Sequence, residues 1–326
     1  MADCQLPRNA PARSTQGILI MRILITGAAG FVGRSLIGTL GTRHEIVAID
    51  SAPNPFGDLP IRYIEGDLAD AALLDEACRD PIDALVHLAT VPGGAAEQDP
   101  AAAFAINVGA TAALLERVMI GGNKPRVLFA SSIAVFGDPL PPHVDDATPL
   151  QPRMVYGAHK AMIEQWIATL TRRGAIEGLS LRFPGIIARA KGPSGMKSAF
   201  MSDVFHAAAA RQPFVCPVSA EATLWLMSVT GLVSNLIHAL EAPATLFAEP
   251  YALTLPAVRT GMGAMALEIA RQTGADPALV RYEPDPALEV AFGRQPPLET
   301  PAANAAGFRH DGSLEALVTS ALATLQ

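Results

Sequence analysis

The 326-residue sequence predicts an α/β protein: a doubly wound parallel sheet with a smaller, partly interleaved C-terminal lobe. Three observations carry that reading. From Met21 onward, short apolar runs alternate with stretches of helical periodicity, the order expected of parallel strands joined by crossover helices. The first run ends directly in a glycine-rich turn. Beyond Arg182 the alternation decays into proline-rich stretches separated by helices, as a second lobe would look.

The elements follow in order. Arg22 to Thr26 (RILIT) is apolar almost throughout, the pattern of a strand buried on both faces. Residues 31–40 then take helical spacing. Residues 45–50 (EIVAID), 62–65 (RYIE), 84–89 (ALVHLA), 127–131 (VLFAS) and 179–183 (LSLRF) read as further strands, most of them separated by helices. Residues 189–198 form a Gly/Pro/Lys loop, and from Glu241 the stretches EAPATLFAEP, RYEPDPALE and GRQPPLETP alternate with helices. Residues 1–20 contain Pro7, Pro11 and Arg13 and no long apolar core. They read as a disordered tail or a mis-assigned start ahead of Met21, not as a signal peptide. The expected division is 21–184 for the first domain and 185–326 for a lobe whose segments return to it.

Composition narrows the function classes. Half of the residues are apolar, 17% are charged and the mean hydropathy is positive, which suits a well-buried globular chain. Net charge is −7 and the 24 basic residues are scattered, so the stripe that nucleic-acid binding needs is missing. Cys4, Cys78 and Cys216 form no CxxC pair. No disulfide framework and no metal site is expected, and a reducing cytoplasm is the expected compartment. The longest charge-free stretch, 222–240, carries Ser228, Thr230, Gly231, Ser234, Asn235 and His238. It reads as a buried strand and helix, so no membrane span is expected.

The first chemical motif is Gly27-Ala28-Ala29-Gly30-Phe31-Val32-Gly33, placed between a strand and a helix. Such glycines allow a tight turn and close backbone approach, so a dinucleotide pyrophosphate can rest on the helix's first amides. Asp50 lies 23 residues beyond Gly27, at the end of the second strand. A carboxylate there accepts bonds from the adenosine ribose and repels a 2′-phosphate, which selects NAD; the alternative is a solvated turn carboxylate. Gly66-Asp67-Leu68 closes the third strand, where Asp67 fits beside the adenine. His87-Leu88-Ala89 closes the fourth, with His87 read as a packed strand residue. Asn107 lies near the cofactor or caps a helix start.

Tyr156 and Lys160 are spaced i, i+4 and therefore share one helix face. A free tyrosine ionises near ~10, and an ammonium within reach lowers that by roughly 1–3 units. A phenolate general base near neutral pH is the expectation.

Together TGAAGFVG, GDL, HLA, Asn107-Val108, FASSIAVFG and Tyr156-Gly-Ala-His-Lys160 resemble the extended short-chain dehydrogenase/reductase family, the NAD-dependent epimerases and dehydratases, from Met21 onward. The resemblance implies a Rossmann-type fold, NAD and a catalytic Ser, Tyr and Lys. Val135 anchors the register and gives Ser132, with Phe136 in place of the usual Tyr. It also implies backbone cofactor contacts at Ala29, Phe31, Val32, Leu88, Ala89, Pro184 and Ile186, and side-chain contacts from Tyr156 and Lys160, the latter on the nicotinamide ribose. Homodimers pairing the Tyr156 helix with the one around 112–118 are likewise implied.

Within the family, the epimerase-like LRxxNVYGP appears as Leu181 to Arg189, with Gly185 in place of the diphosphate-gripping Asn. The Arg-rich step further on is replaced by Thr223 to Ser228. HLATVPGGAAEQD, LRFPGIIARAKGPSGMKSAF, CPVSAEATLWLMS and the tail from Glu283 to Val318 are similar to the D-erythronate dehydrogenase branch. Thr230 and GRQPPLET depart from that branch. An anionic substrate needs a cation, and Arg189, Lys191 and Lys197, with Ser198, crowd one loop; the alternative is a solvated basic loop. The expectation is NAD-dependent oxidation of a hydroxyl on a small sugar acid or hydroxy acid to the keto acid. The alternatives are a nucleotide-sugar epimerase or dehydratase and a non-catalytic NAD sensor.

Overall fold

A computed structural model describes residues 14–15, 18–190 and 197–325. Seven strands form one sheet in the order Ala252–Thr254, Glu177–Phe183, Arg126–Ser132, Ala84–His87, Arg22–Thr26, Glu45–Asp50, Arg62–Glu65, and every neighbouring pair is parallel. The strand order reverses between Arg22–Thr26 and Ala84–His87, the place where open α/β sheets leave a crevice at the strands' carboxyl ends. Ser14–Thr15 and Ile18–Leu19 pair antiparallel just upstream of the first strand.

The apolar runs are continuous because both sheet faces are covered. Ile23, Ile25, Ala48 and Val86 face one layer, while Leu24, Val47, Ile49 and Leu85 face the other. This period-2 division places two cores on opposite sides of one sheet. Helices Phe31–Leu40 and Val229–Glu241 cover the first side, with Leu36, Ile37, Leu232 and Leu236 buried. On the second side lie Thr111–Met119 and Val155–Arg172.

A second sheet, Val258–Gly261, Thr223–Ser228, Gly185–Ile187, stands beside the crevice and holds its own core around Phe205, Leu224, Leu226 and Met265. The chain beyond 185 thus builds this sheet and also returns to the large one, at Ala252–Thr254 and through Val229–Glu241. The charge-free stretch 222–240 is the strand Thr223–Ser228 and part of the following helix, as its composition implies. One helical run, Pro100–Met119, is long and apolar enough to cross a bilayer by length and composition. Here it covers the sheet, with Leu114, Leu115 and Val118 buried.

Candidate active site

The glycine turn follows the first strand because the strand must end where the backbone doubles back into a helix. Gly27 has φ +68°, and a Cβ there would stand 2.7 Å from the Ala89 nitrogen. A Cβ on Gly33 would meet the carbonyl oxygens of Gly27 and Ala28 at 2.3 and 2.5 Å. Turn and helix therefore approach closer than any side chain permits. Gly30 caps the helix without a side-chain acceptor, so first-turn amides remain for an anion. This cradle fits a dinucleotide pyrophosphate.

Asp50 braces the cradle: its Oδ2 accepts from the Ala29 amide and its Oδ1 from that of Ala52, both at 2.9 Å. Each oxygen keeps a second lone pair for another donor. Leu68 is buried and Asp67 exposed. Leu88 packs against the first core, and the Ala89 amide donates to Thr26 Oγ1 at 3.3 Å.

His87 belongs to a directional chain that the sequence reading did not see. Thr111 Oγ1 donates to the Asn107 carbonyl, so it accepts from His87 Nε2; His87 Nδ1 then accepts from Thr26 Oγ1 at 2.7 Å. Burial, with the nearby Lys160 charge, pulls the imidazole down to about 3, so it is neutral and structural. Asn107 sits within a π-helical turn, Ala105–Ala110, and caps no helix start. Its Oδ1 accepts from the Val91 amide at 2.7 Å and its Nδ2 donates to the Val91 carbonyl at 3.0 Å. Its amide holds the loop after the fourth strand, and any link to the cofactor runs through that loop.

Ser132 ends the strand Arg126–Ser132 and accepts from the Ala134 amide at 3.1 Å, which starts a short 3₁₀ turn. Tyr156 and Lys160 lie on the sheet-facing side of Val155–Arg172. Lys160 is buried, its Nζ 4.6 Å from the Phe129 ring centre and 5.4 Å from that of Tyr156. The Ser132 hydroxyl lies close enough to the Tyr156 phenol to favour its ionised form. The fold therefore brings these three residues together.

Their electrostatics differ from the sequence expectation. Burial pushes the Tyr156 phenol up to about 12, against the opposing pull of Ser132 and Arg189. Burial also pulls Lys160 down to about 7, against Glu164. Desolvation disfavours the charged form of both groups, so the phenol is raised where the spacing to Lys160 predicts a lowering.

Arg189 reaches the same place from the loop beyond Gly185–Ile187. Its guanidinium carbon stands 5.9 Å from the centre of the Phe31 ring, and its charge couples to Tyr156. Its backbone is fixed by Ser202 Oγ, which accepts from its amide, and by His206 Nε2, 2.7 Å from its carbonyl oxygen. Lys197 is exposed, the Ser198 carbonyl accepts from Met201, and Lys191 lies outside the described residues. Pro184 and Ile186 are buried where the two sheets meet.

Sequence reasoning also missed a buried cluster beneath the site, Ser131, Glu164 and Arg182. The available signal was an ionisable residue four positions beyond Lys160 and an arginine in an otherwise apolar strand.

A profile of the NAD dependent epimerase/dehydratase family matches residues 23–251. A D-erythronate dehydrogenase of Cupriavidus necator is 34% identical over 313 residues, covering 91% of this chain and 97% of its own length. One of Haemophilus influenzae is 32% identical, covering 91% and 98%. Among solved structures, a nucleoside-diphosphate-sugar epimerase from Agrobacterium tumefaciens superposes with a TM-score of 0.85 at 28% identity, covering 96% of each chain. A GalE-like L-threonine dehydrogenase from Cupriavidus necator, in its holo form, gives 0.84 at 27%, covering 94% of this chain and all of its own. The fold, the glycine cradle and these likenesses along nearly the whole chain agree: the protein belongs to the NAD dependent epimerase/dehydratase family and is an NAD-dependent oxidoreductase.

Proposed function

We propose that the chain oxidises a hydroxyl on a small sugar acid or related hydroxy acid to the keto acid through Ser132, Tyr156 and Lys160. The observation that carries this reading is Arg189, a half-buried cation coupled to the Tyr156 hydroxyl and set over Phe31 of the glycine turn. A guanidinium there can bind a carboxylate through paired hydrogen bonds, which places the neighbouring hydroxyl at Tyr156. Relatives named D-erythronate dehydrogenase support the same substrate class.

In this reading residues 21–184 hold NAD and residues 185–326 hold the acid. The cradle from Gly27 to Gly33 takes the pyrophosphate, Asp50 the adenosine ribose and Asp67 and Leu68 the adenine. Backbone at Leu88, Ala89, Pro184 and Ile186 lines the rest. When bound, NAD supplies the hydride acceptor. Tyr156 Oη takes the hydroxyl proton, Ser132 hydrogen-bonds the reacting oxygen, and Lys160 as an ammonium favours the phenolate. Lys197 and Ser198 serve the substrate from the loop's far end.

The epimerase reading is weaker on one observation. A Cβ on Gly185 would lie 3.0 Å from Leu226 Cδ2 and 3.2 Å from both Met201 Sδ and the Trp225 carbonyl oxygen. A diphosphate-gripping side chain would be crowded there, and Thr223–Ser228 (TLWLMS) offers no cation.

The test is NADH formation across a panel of 2-hydroxy and 3-hydroxy acids, D-erythronate first, beside calorimetry with UDP-glucose. Oxidation of an acid without UDP-glucose binding is expected. Micromolar UDP-glucose binding with no acid oxidised would overturn the reading. Tyr156→Phe should keep NAD binding while turnover falls by roughly 10²–10⁴; unchanged turnover would remove Tyr156 from the mechanism.

The protein is also proposed to work as a cytoplasmic homodimer. Cys78 and Cys216 are free thiols, which suits a reducing compartment.

A further inference from the structure

Beneath the Ser132, Tyr156 and Lys160 face lies a polar cluster that the proposed chemistry does not use. Glu164 is 1% exposed and Arg182 7%. Arg182 Nη2 donates to Glu164 Oε2 at 2.8 Å, and its Nε lies 3.0 and 3.2 Å from the two carboxylate oxygens. Ser131 Oγ donates to Glu164 Oε1. The cluster ties three elements together. Arg182 stands opposite Ser131 in the adjacent parallel strand. Glu164 falls one turn beyond Lys160 and two beyond Tyr156, on the buried side of the same helix.

A buried ion pair is a poor device for stability, because desolvation offsets the attraction. Its place suggests another use. The ionisable groups around Lys160 are few. Its own helix presents Tyr156, His159 and Glu164. His87, which is neutral, comes from the strand Ala84–His87 and Arg182 from Glu177–Phe183. Arg189 reaches the Tyr156 end, and Glu97 acts on His159. The Lys160 nitrogen lies over the rings of Phe129 and Tyr156.

We infer that Glu164 is a positioning residue: its carboxylate, oriented by Arg182 and Ser131, is the counter-charge that favours the ammonium form of Lys160 beneath Tyr156. The electrostatics agree, since Glu164 is the group that raises Lys160 against the effect of burial. The cluster also orients that charge, because a bidentate guanidinium fixes a carboxylate in one plane. The functional consequence rests on the role proposed for Lys160, but the charge balance can be measured without substrate.

Lys160 is one of four lysines, with Lys124, Lys191 and Lys197. Lysine labelled with ¹³C at Cε gives four resonances whose shifts follow each ammonium's titration. Lys160→Met assigns the one that matters. Glu164→Gln keeps the side chain's shape and removes its charge. It should lower the Lys160 midpoint by about half a unit or more, as loss of a neighbouring opposite charge does. Arg182→Met should move it the other way, because the Glu164 carboxylate then has Lys160 as its nearest opposite charge and a neighbouring cation is gone, whereas Arg182→Lys should hold it near the wild-type value. If Glu164→Gln does not fold, the contrast between Met and Lys at 182 reads the same balance. A Lys160 midpoint unmoved by Glu164→Gln, or equal in the two Arg182 variants, would overturn the inference and leave the cluster a brace alone. Failure of every acid in the oxidation panel would leave this titration readable.

Discussion

Lys160 is buried at a cost that follows from its chemistry. Burial holds its pKa at about 7 in the folded chain, against about 10.4 unfolded. Between those values the unfolded chain binds more protons, so stability rises with pH across that window and the full penalty stands below about pH 7. Lys160→Met should therefore stabilise the fold at pH 6 by on the order of 3 kcal/mol. That gain should fade as pH rises toward 10, while NAD binding and turnover fall. Thermal melts of both proteins from pH 6 to 10 check this, and a pH-independent difference would contradict it. The same residue shows what the sequence withheld. The i, i+4 spacing of Tyr156 and Lys160 is legible along the chain, but the sign of their shifts depends on desolvation. Desolvation in turn depends on which rings and strands cover them.

At the scale of elements, strands were legible because burial on both faces demands uninterrupted apolar runs. RILIT and EIVAID coincide with Arg22–Thr26 and Glu45–Asp50. Asn107 was less legible. A polar residue near the start of a helical stretch fits a cap, yet the helix begins at Pro100 and runs through a π turn that aims Asn107 at Val91. Only the packed loop supplies that partner. Asn107→Leu should strip the Val91 amide of its side-chain acceptor, leave the Val91 carbonyl only the long bond from Thr90 Oγ1, and destabilise the protein by about 1–3 kcal/mol. NAD affinity should weaken with it, because the loop continues directly from Leu88 and Ala89. Chemical denaturation and NAD titration of the variant test both effects, and an unchanged midpoint would remove the clamp.

At the scale of the whole molecule, an exposed apolar face among the described residues belongs to none of the three cores. On the side of Val155–Arg172 away from the sheet, Met162 and Trp166 are exposed, and Phe104 is exposed close by, with its ring 5.5 Å from that of His159. Residues four apart share a face, and an apolar stripe in water favours a partner. This is the surface on which the proposed homodimer would form. Trp166→Glu should convert a dimer at micromolar concentration into a monomer by sedimentation, with the thermal midpoint little changed. A wild-type monomer under the same conditions would refute the dimer.

By itself the sequence determined the layered α/β architecture, the glycine cradle and the shared helix face of Tyr156 and Lys160. These depend on local spacing: period 2 along strands, a turn that tolerates no side chain, and four residues per helical step. Tertiary structure alone decided what meets across the chain. It brought Arg189 to Tyr156, closed Asn107 on Val91, and set Glu164 against Arg182 and Ser131. It also filled the space beside Gly185 with Leu226, Met201 and Trp225. Such contacts join residues far apart in sequence, and their energies come from burial and paired charge, which no single stretch of chain contains.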